Sequence, residues 1–120
     1  MERVKPRGLF RMVRALAYSW QGLKAAWREE RAFREEVVLA VLVIPSGIFF
    51  GRSGLERAML IAPMFLVLIV ELLNSGLEAI VDRDSLDRDA LAGMAKDVGS
   101  AAVLLSLALL LIVWVLVLSG

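Results

Sequence analysis

Two carboxylates and a carboxamide, Glu71, Asn74 and Glu78, stand inside the apolar stretch Ala58–Val81, AMLIAPMFLVLIVELLNSGLEAIV. One acidic side chain in lipid costs roughly 2.5–3.5 kcal/mol on insertion scales, so their presence needs a reason. Asn74, Glu78 and Asp82 follow Glu71 by three, seven and eleven residues. At about 100° per residue all four fall on one stripe of a helix. Carboxylates so placed suit three jobs. They can hold Mg²⁺ through hard oxygens, with substrate phosphates completing the shell. One can serve as a general base. Or they can bind cations for transport. Lys96, Arg11 and Arg14 are candidates for phosphate oxygens. Phosphoryl transfer fits such parts, because it needs positioning, a metal and charge neutralisation more than covalent chemistry. Yet neither a GxxxxGK(S/T) loop nor a kinase-type glycine-rich loop occurs. On the residues alone, lipid phosphotransfer, a small cation or drug transporter and a structural membrane subunit all stay open.

Composition narrows the class. Apolar residues make up 59% of the 120, and the mean hydropathy is +0.73. That points to one all-α membrane domain. The chain has no cysteine, hence no disulfide and no thiol chemistry. It has no histidine, which excludes His-activated nucleophiles and His-ligated zinc. No cleavable signal peptide is expected, because the N-terminus opens with charges and the first apolar run starts at Val37.

The elements that must position the acidic stripe follow in order. Residues 1–8 read as a basic tail, punctuated by Pro6 and Gly8. Residues 9–28 are amphipathic. Leu9, Val13, Leu16, Trp20, Leu23 and Trp27 build one apolar face, with Arg11, Arg14, Tyr18, Gln21 and Arg28 opposite. A basic amphipathic helix with Trp on its apolar side reads as lying in the membrane interface. A charged segment, REERAFREE, leads into the uncharged run Val37–Gly51, which is short for a span. Snorkelling side chains from Ala32 on extend it to a span over 32–51. Pro45 is a candidate kink, and Gly47 and Gly51 have GxxxG spacing, a weak signal. A tight turn precedes the central span, 58–81. Residues 82–97 carry eight charges and are expected to be a cytoplasmic loop or helical extension outside the bilayer. The last span is 98–119, with small residues at its start and Trp114 near its end.

Nine of the fourteen Lys and Arg residues lie at or before Arg34; two lie in the 51–57 turn, three in 82–97 and none at the C-terminus. The positive-inside rule then puts the N-terminus and residues 82–97 in the cytoplasm, with the C-terminus outside. A three-span protomer is expected to leave its polar stripe partly uncovered, which argues for oligomerisation.

Four stretches carry a resemblance: Tyr18–Trp27 (YSWQGLKAAW), Glu30–Glu36 (ERAFREE), Val70–Arg83 (VELLNSGLEAIVDR) and Ala95–Leu104 (AKDVGSAAVL). With the specific pattern E-x-x-N-S-x-x-E-x-x-x-D followed by A-K-D, the chain resembles the small integral-membrane diacylglycerol kinases of bacteria over nearly its whole length.

The resemblance implies transfer of the γ-phosphate of MgATP to diacylglycerol, giving phosphatidic acid. It implies a homotrimer in the inner membrane with active sites shared between subunits, and no nucleic-acid partner. By position, Glu71 is expected as general base, with Asn74 ordering it. Glu30 and Glu78 are expected to hold the divalent metal with ATP. Arg11, Tyr18, Lys96 and Asp97 are expected on the nucleotide, with Asp87, Arg88 and Asp89 in a loop over it. Relatives often carry a histidine in that loop and this chain has none. The lipid is expected along Ala15, Leu16, Ala17, Tyr18, Ser19 and Trp20. From there it would run past Lys24, Ala25, Ala26 and Trp27, then Ala32, Phe33, Arg34, Glu35 and Glu36. It would also reach Glu71, Ser100 and Trp114. Asp82 is expected to cap the chain's exit from the membrane and to pair with a neighbouring Arg. The sister activity in related short proteins, undecaprenol kinase, is the alternative.

Overall fold

The computed structural model describes residues 8–84 and 90–120, and among them every regular element is helical. Helix α1 spans Gly8–Glu29, α2 Arg31–Phe50, α3 Gly54–Asp84 and α4 Ala90–Ser119. Three of these form an antiparallel bundle, in which α3 packs most extensively on α4 and then on α2. Helix α1 touches the rest lightly, and its apolar side chains Leu9, Val13, Leu16 and Trp20 are exposed. That suits a helix whose apolar face rests on a lipid surface.

The bundle is organised by one stripe of α3. Leu60, Met64 and Val67 are fully buried, and Glu71 follows at 4% exposure. The spacings of four, three and four keep these residues on one inward face. Ala40 of α2 and Leu110 of α4 close over the apolar part, with Leu39, Val43, Ile44, Leu107 and Trp114 around them. The acidic stripe is therefore the downward continuation of the hydrophobic core. One chain already covers Glu71, and Asn74 and Glu78 are half-buried. Asp82, at the end of the stripe, is exposed.

Small residues set the helix spacing. A Cβ at Gly47 would press on Leu60 and Ile61, so this glycine brings α2 onto α3. Trp114 of α4 donates its indole N–H to the Leu60 carbonyl at 3.0 Å, closing the α3–α4 contact at the far end. Pro45 lies inside α2 and Pro63 inside α3 without ending either helix.

The helices outrun the apolar runs that announced them. Helix α3 begins at Gly54 because Ser53 and Glu56 cap it: the Glu56 N–H donates to Ser53 Oγ at 3.1 Å, and Glu56 Oε1 accepts from the Arg52 N–H at 2.9 Å. Of residues 82–97, expected as a loop or a helical extension, 82–84 continue α3 and 90–97 begin α4. Hydropathy falls at Asp82, but no proline follows, so charge ends the apolar run without ending the helix. Asp87, Arg88 and Asp89 lie outside the described residues.

Helices α3 and α4 are long and apolar enough to cross a membrane. Helix α2 has 20 residues, about 30 Å, but its first two turns hold Arg31, Arg34, Glu35 and Glu36.

Candidate functional site

Glu71 lies on the buried stripe of α3, and the antiparallel register brings Glu36 of α2 against it. Glu36 is 9% exposed, and its carboxyl group neighbours that of Glu71 on the wall of one cavity. Ser75 Oγ, one turn further along α3, donates to Glu71 Oε2 at 3.5 Å. Next on the stripe, Asn74 Nδ2 donates to Glu78 Oε2 at 3.4 Å. The opposite end of the Asn74 carboxamide, Oδ1, is buried without a partner. It faces Gly99 of α4, where any Cβ would collide with it.

The fourth carboxylate comes from a break in the backbone. Glu30 separates α1 from α2 with φ −116° and ψ 107°, outside the helical region. Arg34 satisfies the carbonyls this break exposes: its Nη1 donates to Trp27 O at 2.7 Å and to Arg28 O at 3.2 Å. Glu30 then joins Ala32, Glu36, Glu71, Asn74, Glu78, Ser100 and Val103 around a cavity of about 300 Å³. None of these lining residues is basic. Four carboxyl groups around one small space repel unless protons or a cation intervene.

Glu30 and Glu78 therefore offer hard oxygen ligands at one cavity. Among the described residues, no group of three or more acidic side chains forms a metal cage. A pair of carboxylates still fits Mg²⁺, which usually takes one or two and leaves the remaining positions to waters and substrate phosphates.

Two grooves run along α1. One, of about 670 Å³, separates α1 from α3; Ser19, Ala25, Ala26 and Glu30 line one side, and Leu72, Ser75 and Gly76 the other. It shares Glu30 with the acidic cavity, and its Ser75 touches Glu71. The second, of about 710 Å³, fills the crook between α1 and α2, lined by Trp20, Leu23, Lys24, Trp27, Arg28, Phe33 and Arg34. Both are mostly apolar and large enough for part of an acyl chain.

Other expected residues lie apart. Ala15, Leu16, Ala17 and Tyr18 are exposed on α1, and the Tyr18 hydroxyl accepts from Arg14 Nη2 at 3.2 Å. Along the helix, Arg11 is about 28 Å and Tyr18 about 18 Å from Glu30. Glu35 pairs with Arg31 on the surface, 3.2 Å apart. Lys96 Nζ lies 2.7 Å from Asp82 Oδ1, so the partner of Asp82 is this lysine, on α4. Asp97 is exposed, and Ser100 lines the acidic cavity. Trp114 is held at Leu60, eleven residues and about 16 Å along α3 from Glu71. Residue spacing did not reveal Ser75 or the meeting of Glu36 with Glu71. A hydroxyl one turn from Glu71 was a readable signal for the first; nothing local signals the second.

The sequence model of one family, described as prokaryotic diacylglycerol kinase, matches residues 17–118. A protein of Pseudomonas aeruginosa named diacylglycerol kinase is 48% identical over 113 residues, covering 94% of this chain and 92% of its own. One of Haemophilus influenzae with the same name is 44% identical over 110 residues, covering 92% and 93%. One of Escherichia coli, again so named, is 43% identical over 111 residues, covering 92% and 91%.

Proposed function

The chain belongs to the prokaryotic diacylglycerol kinase family, and from that premise we propose that it transfers the γ-phosphate of ATP to the free hydroxyl of diacylglycerol. The observation that carries this reading is the buried Glu71 in a cavity lined by Glu30, Glu36 and Glu78, beside a groove fit for a lipid chain.

Glu71 takes the proton of the lipid hydroxyl. The hydroxyl oxygen then bonds to the γ-phosphorus, and the bond from phosphorus to the bridging oxygen of the β-phosphate breaks. Phosphatidic acid and ADP result. Asn74 and Ser75 orient the acids of the stripe. Glu30 and Glu78 would hold Mg²⁺, which when bound neutralises charge on the transferring phosphates. The break at Glu30 lets a lipid approach from α1 while the nucleotide approaches from the aqueous side.

In this reading α2, α3 and α4 are three spans of an inner-membrane protein. The N-terminus lies in the cytoplasm and the C-terminus outside, as the Lys and Arg distribution favours. The active form is a homotrimer. The distances of Arg11 and Tyr18 from Glu30 support sites shared between subunits, because one chain alone does not bring them to a common nucleotide.

The test is purified protein in mixed micelles with radiolabelled ATP, offered diacylglycerol or undecaprenol in parallel. Label is expected in phosphatidic acid. Label in the polyprenol product alone would overturn the acceptor assignment in favour of the sister activity.

A further inference from the structure

Glu36 is the acid of the cavity to which phosphoryl transfer assigns no step. It sits on the inner face of α2, three residues from buried Phe33 and four from buried Ala40. A position so enclosed ordinarily holds an apolar side chain. Its carboxyl lies beside that of Glu71 on the wall of the cavity, and its Oε1 is buried with no partner. A hydrogen bond between two carboxyl groups requires one proton between them, and two bare carboxylates at that separation repel. Among the described residues, no basic side chain lines the cavity around the pair. Glu30 faces the pair from the α1–α2 break, Glu78 stands further along α3, and α4 contributes Ser100 and Val103. On α2 itself the neighbouring acid, Glu35, is paired with Arg31.

We propose that Glu36 is the positioning residue for Glu71: it keeps one proton and donates it as a hydrogen bond, fixing the Glu71 carboxylate from the α2 side while Ser75 fixes it along α3. The inference deepens the kinase reading and rests on Glu71 as base. Before reaction the pair carries one proton and one negative charge. The lipid proton passes to Glu71 as the new phosphorus–oxygen bond forms and the bond to the leaving ADP breaks. The pair is then neutral, and one proton returns to water after the product leaves. A neutral partner thus lets Glu71 stay ionised beside it without a second buried charge.

The test compares Glu36→Gln with Glu36→Leu in the full-length protein. The glutamine amide keeps a donor towards Glu71; leucine keeps only the bulk. Leucine is expected to lower kcat by about 10²-fold, the scale of a misplaced reacting group. Glutamine should recover most of that loss, with KM for MgATP within about twofold in both. Infrared spectra of the nucleotide-free protein at neutral pH supply a second readout. The carbonyl stretch of a protonated carboxylic acid should be present in the wild type and lost in Glu36→Gln. Wild-type kcat in Glu36→Leu would overturn the proposal, as would a glutamine variant as slow as leucine. So would the absence of that stretch from the wild type. If the leucine variant does not fold, the glutamine rate and the spectra decide. Failure of the base assignment is separate: Glu71→Gln would then keep its turnover, whatever Glu36 does.

Discussion

The carboxamide oxygen of Asn74 occupies the space where a side chain at position 99 would begin, so α3 and α4 meet there through Gly99. Gly99→Ala forces either the carboxamide or the helix to shift. Overpacking of this kind costs about 1–3 kcal/mol. Displacement of Asn74 should also slow turnover by about tenfold or more, since small misplacements near reacting groups are expensive. Initial rates and thermal unfolding in the same detergent check this; a variant with wild-type rates would show that the contact is idle.

Glu71→Gln keeps shape and hydrogen bonding but cannot take a proton. Turnover should fall by about 10²–10⁴, the usual contribution of general base catalysis. KM for MgATP should change little, because Glu30 and Glu78 are untouched. Steady-state kinetics with diacylglycerol as acceptor measures both quantities.

Glu78→Gln removes one of the two carboxylates placed to hold Mg²⁺ while leaving a group that Asn74 can still contact. The magnesium concentration for half-maximal activity should rise by about tenfold or more, equivalent to ~1.4 kcal/mol of metal binding. Titration at fixed ATP tests this. An unchanged magnesium requirement would remove Glu78 from the metal site.

Trp114→Phe deletes the indole donor to Leu60 while keeping an aromatic ring at the core edge. Loss of that bond should destabilise the bundle by about 0.5–1.5 kcal/mol. Denaturant unfolding in micelles reads the change. Equal stability would mean that the Leu60 carbonyl finds another donor.

Much of this arrangement was legible in the residues. The four- and three-residue steps that place Glu71, Asn74 and Glu78 on one stripe are local, and periodicity reveals them. The apolar steps from Leu60 to Val67 continue the same periodicity, so the inward face of α3 was readable too. Glu36 was different. Its meeting with Glu71 depends on the register of α2 on α3, which the packing of Gly47 and the cap at Ser53 determine together. The break at Glu30 was also hidden, because no glycine or proline marks it; the bonds from Arg34 to the Trp27 and Arg28 carbonyls hold it instead. Charge at residues 82–97 left a loop and a helical extension both open; charged side chains are good helix formers, and helix covers most of that stretch.

The bond between Trp114 and Leu60 has a geometric corollary for where the chemistry can take place. It clamps one end of the stripe, and eleven residues of rigid helix then dimension the descent to Glu71, so α3 works as a ruler. A single residue inserted between Leu60 and Glu71 would swing the acid by about 100° out of the bundle and lower it by about 1.5 Å. The depth at which fuel and lipid meet is thus a matter of counted residues, and it cannot drift without unseating the core.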